Sequence, residues 1–394
     1  MTKKEAPSWT FLLALVASSF ASMPPSQIVS LFLIDIAEAF GQKVGEMGQL
    51  TAFSSFVGLF TALLMGVLST RVQHRKLLIA GNLALMICCL GCYFSISYVV
   101  LLVFFSLSGL AMSIISPMNQ TLIGEHYPIS KRSEVLSLLA VGATFSGIIG
   151  APIISWISGF GGWKSPFIYY SLPCALAGII LVNLFIPSNP KKDVIVGQEG
   201  ILAGMKGILK NRSATAMLTS SFLTMAAWQA MFLYASSFYR EKFLVSTDFA
   251  SLLVLGGNVM MAASNYLSGR ISDRVGLKKL AVTSGILAGI FMFGFYATGD
   301  LWVSVSLRMI SLIFGGMSYN AALTLTLEQV TDFRGAMMSL NRAAFSLGST
   351  LGAIVGGYVL ISSGYTMLGA SIGVLMVLAS IIVWFLSKDP NKND

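Results

Sequence analysis

The chain has 394 residues, 55 % of them hydrophobic and only 10 % charged, against about 25 % charged in an ordinary soluble domain. A mean hydropathy of +0.80 over that length excludes a water-soluble globule and equally a single anchor on a soluble body. The net charge of +9 would suit nucleic acid only if a basic soluble face existed; none can here, so no nucleic-acid partner is expected, and the lipid bilayer is the solvent for most of the chain.

A hydrocarbon core of about 30 Å takes roughly 20 apolar residues per helix. Hydropathy predicts twelve such segments, at 9–35, 46–68, 77–96, 98–124, 135–157, 166–186, 214–239, 249–268, 279–298, 301–327, 336–361 and 365–387, numbered below as spans 1 to 12. Span 1 is too long for the apolar region of a signal peptide and is followed by no convincing cleavage site, so it reads as a retained helix. Pro24 and Pro25 remove two backbone donors from it and predict a kink. Span 3 carries Cys88, Cys89 and Cys92, and span 6 carries Cys174. Cys89 and Cys92 form a CxxC, but no second Cys/His pair completes a zinc site; the thiols read as small packing residues, and neither metal nor cofactor is expected. The longest polar break separates a six-span bundle at 1–186 from another at 214–394, with 187–213 as a cytoplasmic linker. The expected fold is an all-α membrane protein of twelve transmembrane helices in two six-helix bundles.

Of the 25 Lys and Arg, twenty fall on the side of the N-terminus, four (Lys43, Lys164, Arg240, Lys242) on the other, and Arg308 lies inside a span. Short loops rich in cations stay cytoplasmic. The expected location is therefore the cell (inner) membrane, with both termini inside.

The halves repeat. At an offset of 202 to 203 residues GVLSTRVQHRK (66–76) falls on GRISDRVGLKK (269–279), Glu125 on Glu328, Arg132 on Arg334 and Gly150 on Gly352. Bundles with an even number of spans keep one orientation, which implies a parallel repeat about an axis along the membrane normal. These residues resemble the major facilitator superfamily, in particular its bacterial drug/proton antiporter and sugar-efflux-like branches, over the whole chain. The loop pattern G-x-L-[SA]-D-R-x-G-[RK]-[RK] is matched at Gly269, Ser272, Asp273, Arg274, Gly276 and Lys278, with Ile271 and Leu277 as departures; the first half departs further, at Thr70 and Gln73. Gly147-Ile-Ile-Gly150-Ala-Pro152 is similar to the fifth-span antiporter motif, and Gly162-Trp163-Lys164-Ser165-Pro166-Phe167 to the family's start of span 6. The resemblance implies alternating access around a central cavity lined mainly by spans 1, 4, 7 and 10.

Periodicity points to the same spans. Ser304, Arg308, Ser311, Gly315, Ser318 and Ala322 share one face of span 10, and Ser106, Gly109, Ser113, Ser116 and Gln120 one face of span 4. Span 1 offers Ser19, Ser22, Ser26 and Ser30; span 7 offers Ser221, Thr224 and Trp228. Polar stripes within lipid turn toward protein or water. For a single serine a bond to its own backbone is the simpler account, but four striped spans together favour a cavity. The expected cargo contacts are Arg308, Trp228, Tyr319, Ser26, Ser30, Ser113, Gln120 and Ser311. Arg308 lies about 10 Å into its span, where it either faces the interior or snorkels to the outer headgroups. No acid sits at mid-depth: Asp35 and Glu38 read as charges at the outer end of span 1, so the family's usual proton-carrying pair is not matched. His74 and His126 read as surface groups.

Small residues at steps of four mark close helix approach: Ser54, Gly58, Ala62 and Gly66 in span 2, Gly348, Gly352 and Gly356 in span 11, together with Gly147, Gly150 and Pro152 in span 5. In the resembled fold spans 2 and 11 cross between the halves. The resemblance also implies a cytoplasmic gate in which Asp273 approaches the start of span 5, Arg274 approaches Glu328 and Arg71 approaches Glu125, with Arg132 and Arg334 beside them.

The leading reading is a secondary transporter moving a neutral or amphiphilic small molecule by efflux-type antiport, with a proton or counter-ion as coupling partner, and working as a monomer. Organic-anion uptake or exchange through Arg308 and a non-transporting receptor of the same fold are the alternatives. A channel lacks its filter or charged rings, an intramembrane enzyme lacks HExxH, GxSxG or paired aspartates, and a nucleotide-driven pump lacks GxxxxGK[ST].

Overall fold

The computed structural model describes residues 9–127, 129–187, 207–330 and 334–388, all of which are helix or short connection. Expectations resting on most of the linker, and on the surroundings of Gly66, Arg71, Arg132, Asp273 and Arg334, lie outside the described residues. Among those described, ten helical segments are long and apolar enough to cross a membrane. One of them, Leu340–Leu386, is divided at Gly364, and Phe145–Ser158 is the shorter apolar part of span 5. With span 5 (Ile129–Ser158) these make the twelve helices expected.

Span 1 is cut twice, into Trp9–Ala21, Pro24–Leu31 and Leu33–Phe40. Pro24 and Pro25 open the second piece, where a missing N–H costs no hydrogen bond. Asp35 falls in the first turn of the third, where a carboxylate complements the helix dipole. Span 6 begins with a tight turn at Gly162–Lys164 and a wide one at Phe167–Ser171 before Leu172–Phe185. Lys164 reaches back to the Ser95 carbonyl at 2.7 Å, which anchors this start to the end of span 3. Gly364 has φ 77°, a backbone that a side chain would strain, and it separates spans 11 and 12.

Contacts divide the chain into two compact units. The first holds Met1–Gly41, Phe53–Val194 and Thr247–Leu255; the second holds Gln42–Ala52, Ile195–Ser246 and Gly256–Asp394. The start of span 2 thus belongs with the second unit and the start of span 8 with the first. Within each unit the basic end of the loop motif has the same task. Arg75, opening span 3, donates to the carbonyl and the side-chain oxygen of Asn183 at 2.7 and 2.6 Å. Lys278, opening span 9, donates to the Ser387 carbonyl at 2.5 Å. Both cations sit at the C-terminal end of their unit's last span, where unsatisfied carbonyls attract positive charge.

The first unit's core gathers Leu15, Leu78, Leu85, Ile115 and Leu122 around two buried asparagines. Asn82 of span 3 donates to Ser18 Oγ at 2.6 Å, and Asn119 of span 4 to Ser19 Oγ at 2.8 Å. Span 1 is thereby held from two sides by neighbouring serines. The buried Cys88 and Cys92 are free thiols with their sulfurs 4.0 Å apart.

Candidate functional site

The polar face of span 10 (Leu301–Glu328) meets span 9 (Leu277–Ala297). Ser304 donates to the Phe295 carbonyl at 3.0 Å, Ser311 to Ala288 at 3.2 Å and Ser318 to Ala281 at 2.8 Å. Donors and acceptors each step by seven residues in opposite directions, two turns of each antiparallel helix. Most of the face expected to line a cavity is therefore a ladder of interhelical hydrogen bonds. Ser311 belongs to that contact.

Arg308 lies in the same row and is 1 % exposed, so its side chain does not snorkel to a surface. Its guanidinium carbon stands 6.0 Å from the centre of the Tyr239 ring on span 7, within cation–π range. Gly257 of span 8 makes room for it: a Cβ there would lie 3.1 Å from Nη1. Trp228, 3 % exposed, stacks on Phe232 at 5.2 Å and fills a gap over Gly315, where a Cβ would overlap the indole. Its Nε1 has no hydrogen-bond partner among the described residues.

Farther along the same helices the second unit opens a recess. Ser220, Ser221, Thr224, Ser318, Tyr319 and Ser380 bring six hydroxyls to it, and the Tyr319 and Phe345 rings pack 5.9 Å apart at its wall. About 20 Å³ is open to the centre of a water molecule, room for a single hydroxyl or water. No charged side chain lines it among the described residues.

In the first unit the expected contacts separate by exposure. Ser26 and Gln120 are exposed, while Ser30 and Ser113 are half-buried. Ser113 stands against span 2, where a Cβ added to Gly58 would lie 2.9 Å from its Oγ, and Ser54 bonds Ser108 there at 2.9 Å. Gly58 thus packs on span 4. Sequence reasoning missed Gln27 and Gln229. Gln27 donates through Nε2 to the Gly147 carbonyl at 3.0 Å, and Gln229 accepts from Ser349 at 2.8 Å. The offset of 202 maps Gln27 onto Gln229 and Gly147 onto Ser349, a signal present in the sequence.

The glycines of span 11 differ from expectation. Gly348 and Gly352 face the backbone of Phe222 and Ala226 in span 7, and Gly356 faces Ala230; it is Gly357 that meets Gly45, ahead of span 2. Tyr234 ties this place together by donating to the Gly45 and Ala353 carbonyls at 3.1 and 3.2 Å. Pro152 lies within span 5, and Gly150 faces Gln27. Of the gate residues with described side chains, Glu125 pairs with His74 Nδ1 at 3.1 Å, and Glu125, Arg274 and Glu328 are all exposed.

Twelve apolar helices in two bundles, without strands among the described residues, define a multi-pass membrane protein. The chain belongs to the Major Facilitator Superfamily, whose family profile matches residues 10–264 and 217–394, and it is a transporter of that family. The MFS-type transporter YwfA of Bacillus subtilis is 23 % identical over 386 residues, covering 96 % of this chain and 92 % of the relative. The purine ribonucleoside efflux pump NepI of Salmonella typhimurium is 24 % identical over 392 residues, covering 96 % and 94 %. The D-xylose–proton symporter shares the fold with a TM-score of 0.81 at 15 % identity, over 97 % of this chain and 98 % of that one. These relatives are carriers rather than enzymes.

Proposed function

We infer that this transporter exports a neutral, hydroxyl-rich small molecule by alternating access, in exchange for a proton or another counter-ion, with a purine ribonucleoside as the first cargo to test. The observation that carries this reading is the recess of six hydroxyls beside the Tyr319–Phe345 pair, which in this conformation has room for one hydroxyl of a cargo and would have to widen around the rest as the helices move. Hydroxyls that both donate and accept suit a sugar-like group, and an aromatic wall suits a flat or apolar one. The similarity to NepI supports the same class. In the first unit, Ser26, Ser30, Ser113 and Gln120 are the cargo-facing candidates, because polar side chains left open within a span avoid lipid. Organic-anion exchange would need Arg308 to reach cargo, and its enclosure argues against that. The protein works as a monomer in the cell (inner) membrane with both termini cytoplasmic. The pairs Arg71–Glu125 and Arg274–Glu328 act on the cytoplasmic side as latches.

Counterflow of radiolabelled inosine in proteoliposomes tests the reading. Saturable exchange that Ser318→Leu lowers at least about tenfold, or 1.4 kcal/mol, is expected. Exchange of organic anions without inosine overturns the cargo class, and no counterflow with any solute would leave a receptor as the better account.

A further inference from the structure

The breaks in span 1 leave Pro24–Leu31 as a separate helix of eight residues, and it carries Ser26 and Ser30. A helix this short has little rigidity of its own, so its rotation is set by what its side chains hold. Gln27 ties it to span 5. Its Nε2 donates to the Gly147 carbonyl at 3.0 Å, and its Oε1 lies so close over Gly150 that a Cβ there would overlap it. The amide therefore bridges two glycines about one helical turn apart. The Tyr170 hydroxyl of span 6, on a side chain 9 % exposed, faces the same glycine; the added Cβ would meet it at 3.4 Å, an ordinary contact. Gln27 Oε1 has no hydrogen-bond partner among the described residues. Buried polar atoms in that condition are costly, so the joint is marginal and sensitive to anything that shifts the amide.

We propose that Gly150 is a positioning residue for transport: by leaving room for the Gln27 amide it fixes the short helix of span 1, and with it the direction in which Ser26 and Ser30 meet cargo. This rests on the reading that those serines serve the cargo. The role is particular to the first unit. In the second, Gln229 takes a bond from Ser349, and Gly352, the counterpart of Gly150, faces backbone instead.

The test uses a readout that needs no cargo: the rate at which Ser26→Cys, in a background without the native cysteines, reacts with a water-soluble maleimide in proteoliposomes. Gly150→Ala and Gln27→Ala are each expected to change that rate about fivefold or more, and their combination to change it no further than either alone. Additive effects would assign Gly150 to helix packing and overturn the proposal. Gln27→Leu, which keeps bulk but cannot bond, guards against a Gly150→Ala protein that does not fold. An unchanged rate in Gln27→Leu overturns the proposal as well. Failure of inosine counterflow with these labelling results intact would count against the cargo class and leave the joint standing.

Discussion

Spans 9 and 10 of the second unit and spans 3 and 4 of the first occupy equivalent places in the repeat, yet they hold together by different means. The second unit uses the ladder of Ser304, Ser311 and Ser318 onto backbone carbonyls. The first fits side chains into glycine gaps. The Phe104 ring fills the space beside Gly91, and Ile115 stands 2.8 Å from where a Cβ on Gly81 would be. Lipid supplies no hydrophobic force between helices, so close packing and interhelical hydrogen bonds are alternative sources of the same association. The repeat preserved which helices touch and let the chemistry of the contact diverge. Arg308 and its counterpart Phe105, both 1 % exposed, show the divergence at one position.

That position gives the largest expected effect. Arg308 has the face of Tyr239 and the gap at Gly257, whereas position 105 is filled by a phenyl ring. Phe105→Arg would bury a charge without compensation and is expected to cost about 3–5 kcal/mol, seen as loss of folded protein in a detergent-based thermal unfolding assay. Arg308→Met keeps much of the bulk and removes the charge, and should cost no more than about 1 kcal/mol. Equal tolerance of both changes would break the comparison.

A smaller effect is expected where Trp228 lies over Gly315. At the offset of 203 that holds along span 4, Gly315 corresponds to Met112, while Trp228 corresponds to Ser26 at 202, so the large residue of the pair changes sides between the units. Gly315→Ala drives a methyl into the indole and should destabilise by about 1–3 kcal/mol, with a shift in tryptophan emission. Ser26→Ala, at the counterpart of Trp228, should stay within about 0.5 kcal/mol. A silent Gly315→Ala would mean that the indole can move aside.

The twelve spans, the repeat and the break at Pro24 were legible because hydropathy and proline act locally. The partners of each face were not. Period 3.6 assigns Ser304, Ser311 and Ser318 to one side of a helix but leaves open whether water or span 9 lies opposite; all three bond span 9, and the recess opens only at the Ser318 end. The glycines of span 11 raised the same difficulty, because a close approach has the same spacing whether the neighbour is span 2 or span 7. Asn82 escaped notice as a lone amide in an apolar run, while Asn119 and Gln27 lay beside Gln120 and Ser26, polar neighbours on which the expected stripes were drawn. Gln27 alone had a second signal, its counterpart Gln229.

The serine ladder itself can be measured. Interhelical hydrogen bonds in membranes average about 0.6 kcal/mol each, so replacing Ser304, Ser311 and Ser318 together with alanine should cost about 2 kcal/mol in unfolding by denaturant. Each single change should fall near a third of that. A triple variant as stable as the parent would show that packing alone holds spans 9 and 10.

The smallest effect separates the two caps at the ends of spans 6 and 12. A cation at a helix C-terminus is worth about 0.3–1 kcal/mol and is screened by salt where solvent reaches it. Arg75 makes its two bonds to Asn183 in an exposed setting, while Lys278 makes its bond partly buried, with its ammonium 6.0 Å from the Trp384 ring centre. Arg75→Ala should therefore lower the melting temperature in dilute salt, and most of that loss should vanish at about 1 M NaCl, where the Debye length is near 3 Å. Lys278→Ala should lower it by a similar amount that persists in salt, because part of the contact is shielded. Arg75→Lys keeps the charge but gives up the planar fork that addresses the carbonyl and side-chain oxygens together, and it should lose about half of the stabilisation. If both alanine variants responded to salt alike, burial would not distinguish the caps, and the halves would agree in the chemistry of this contact.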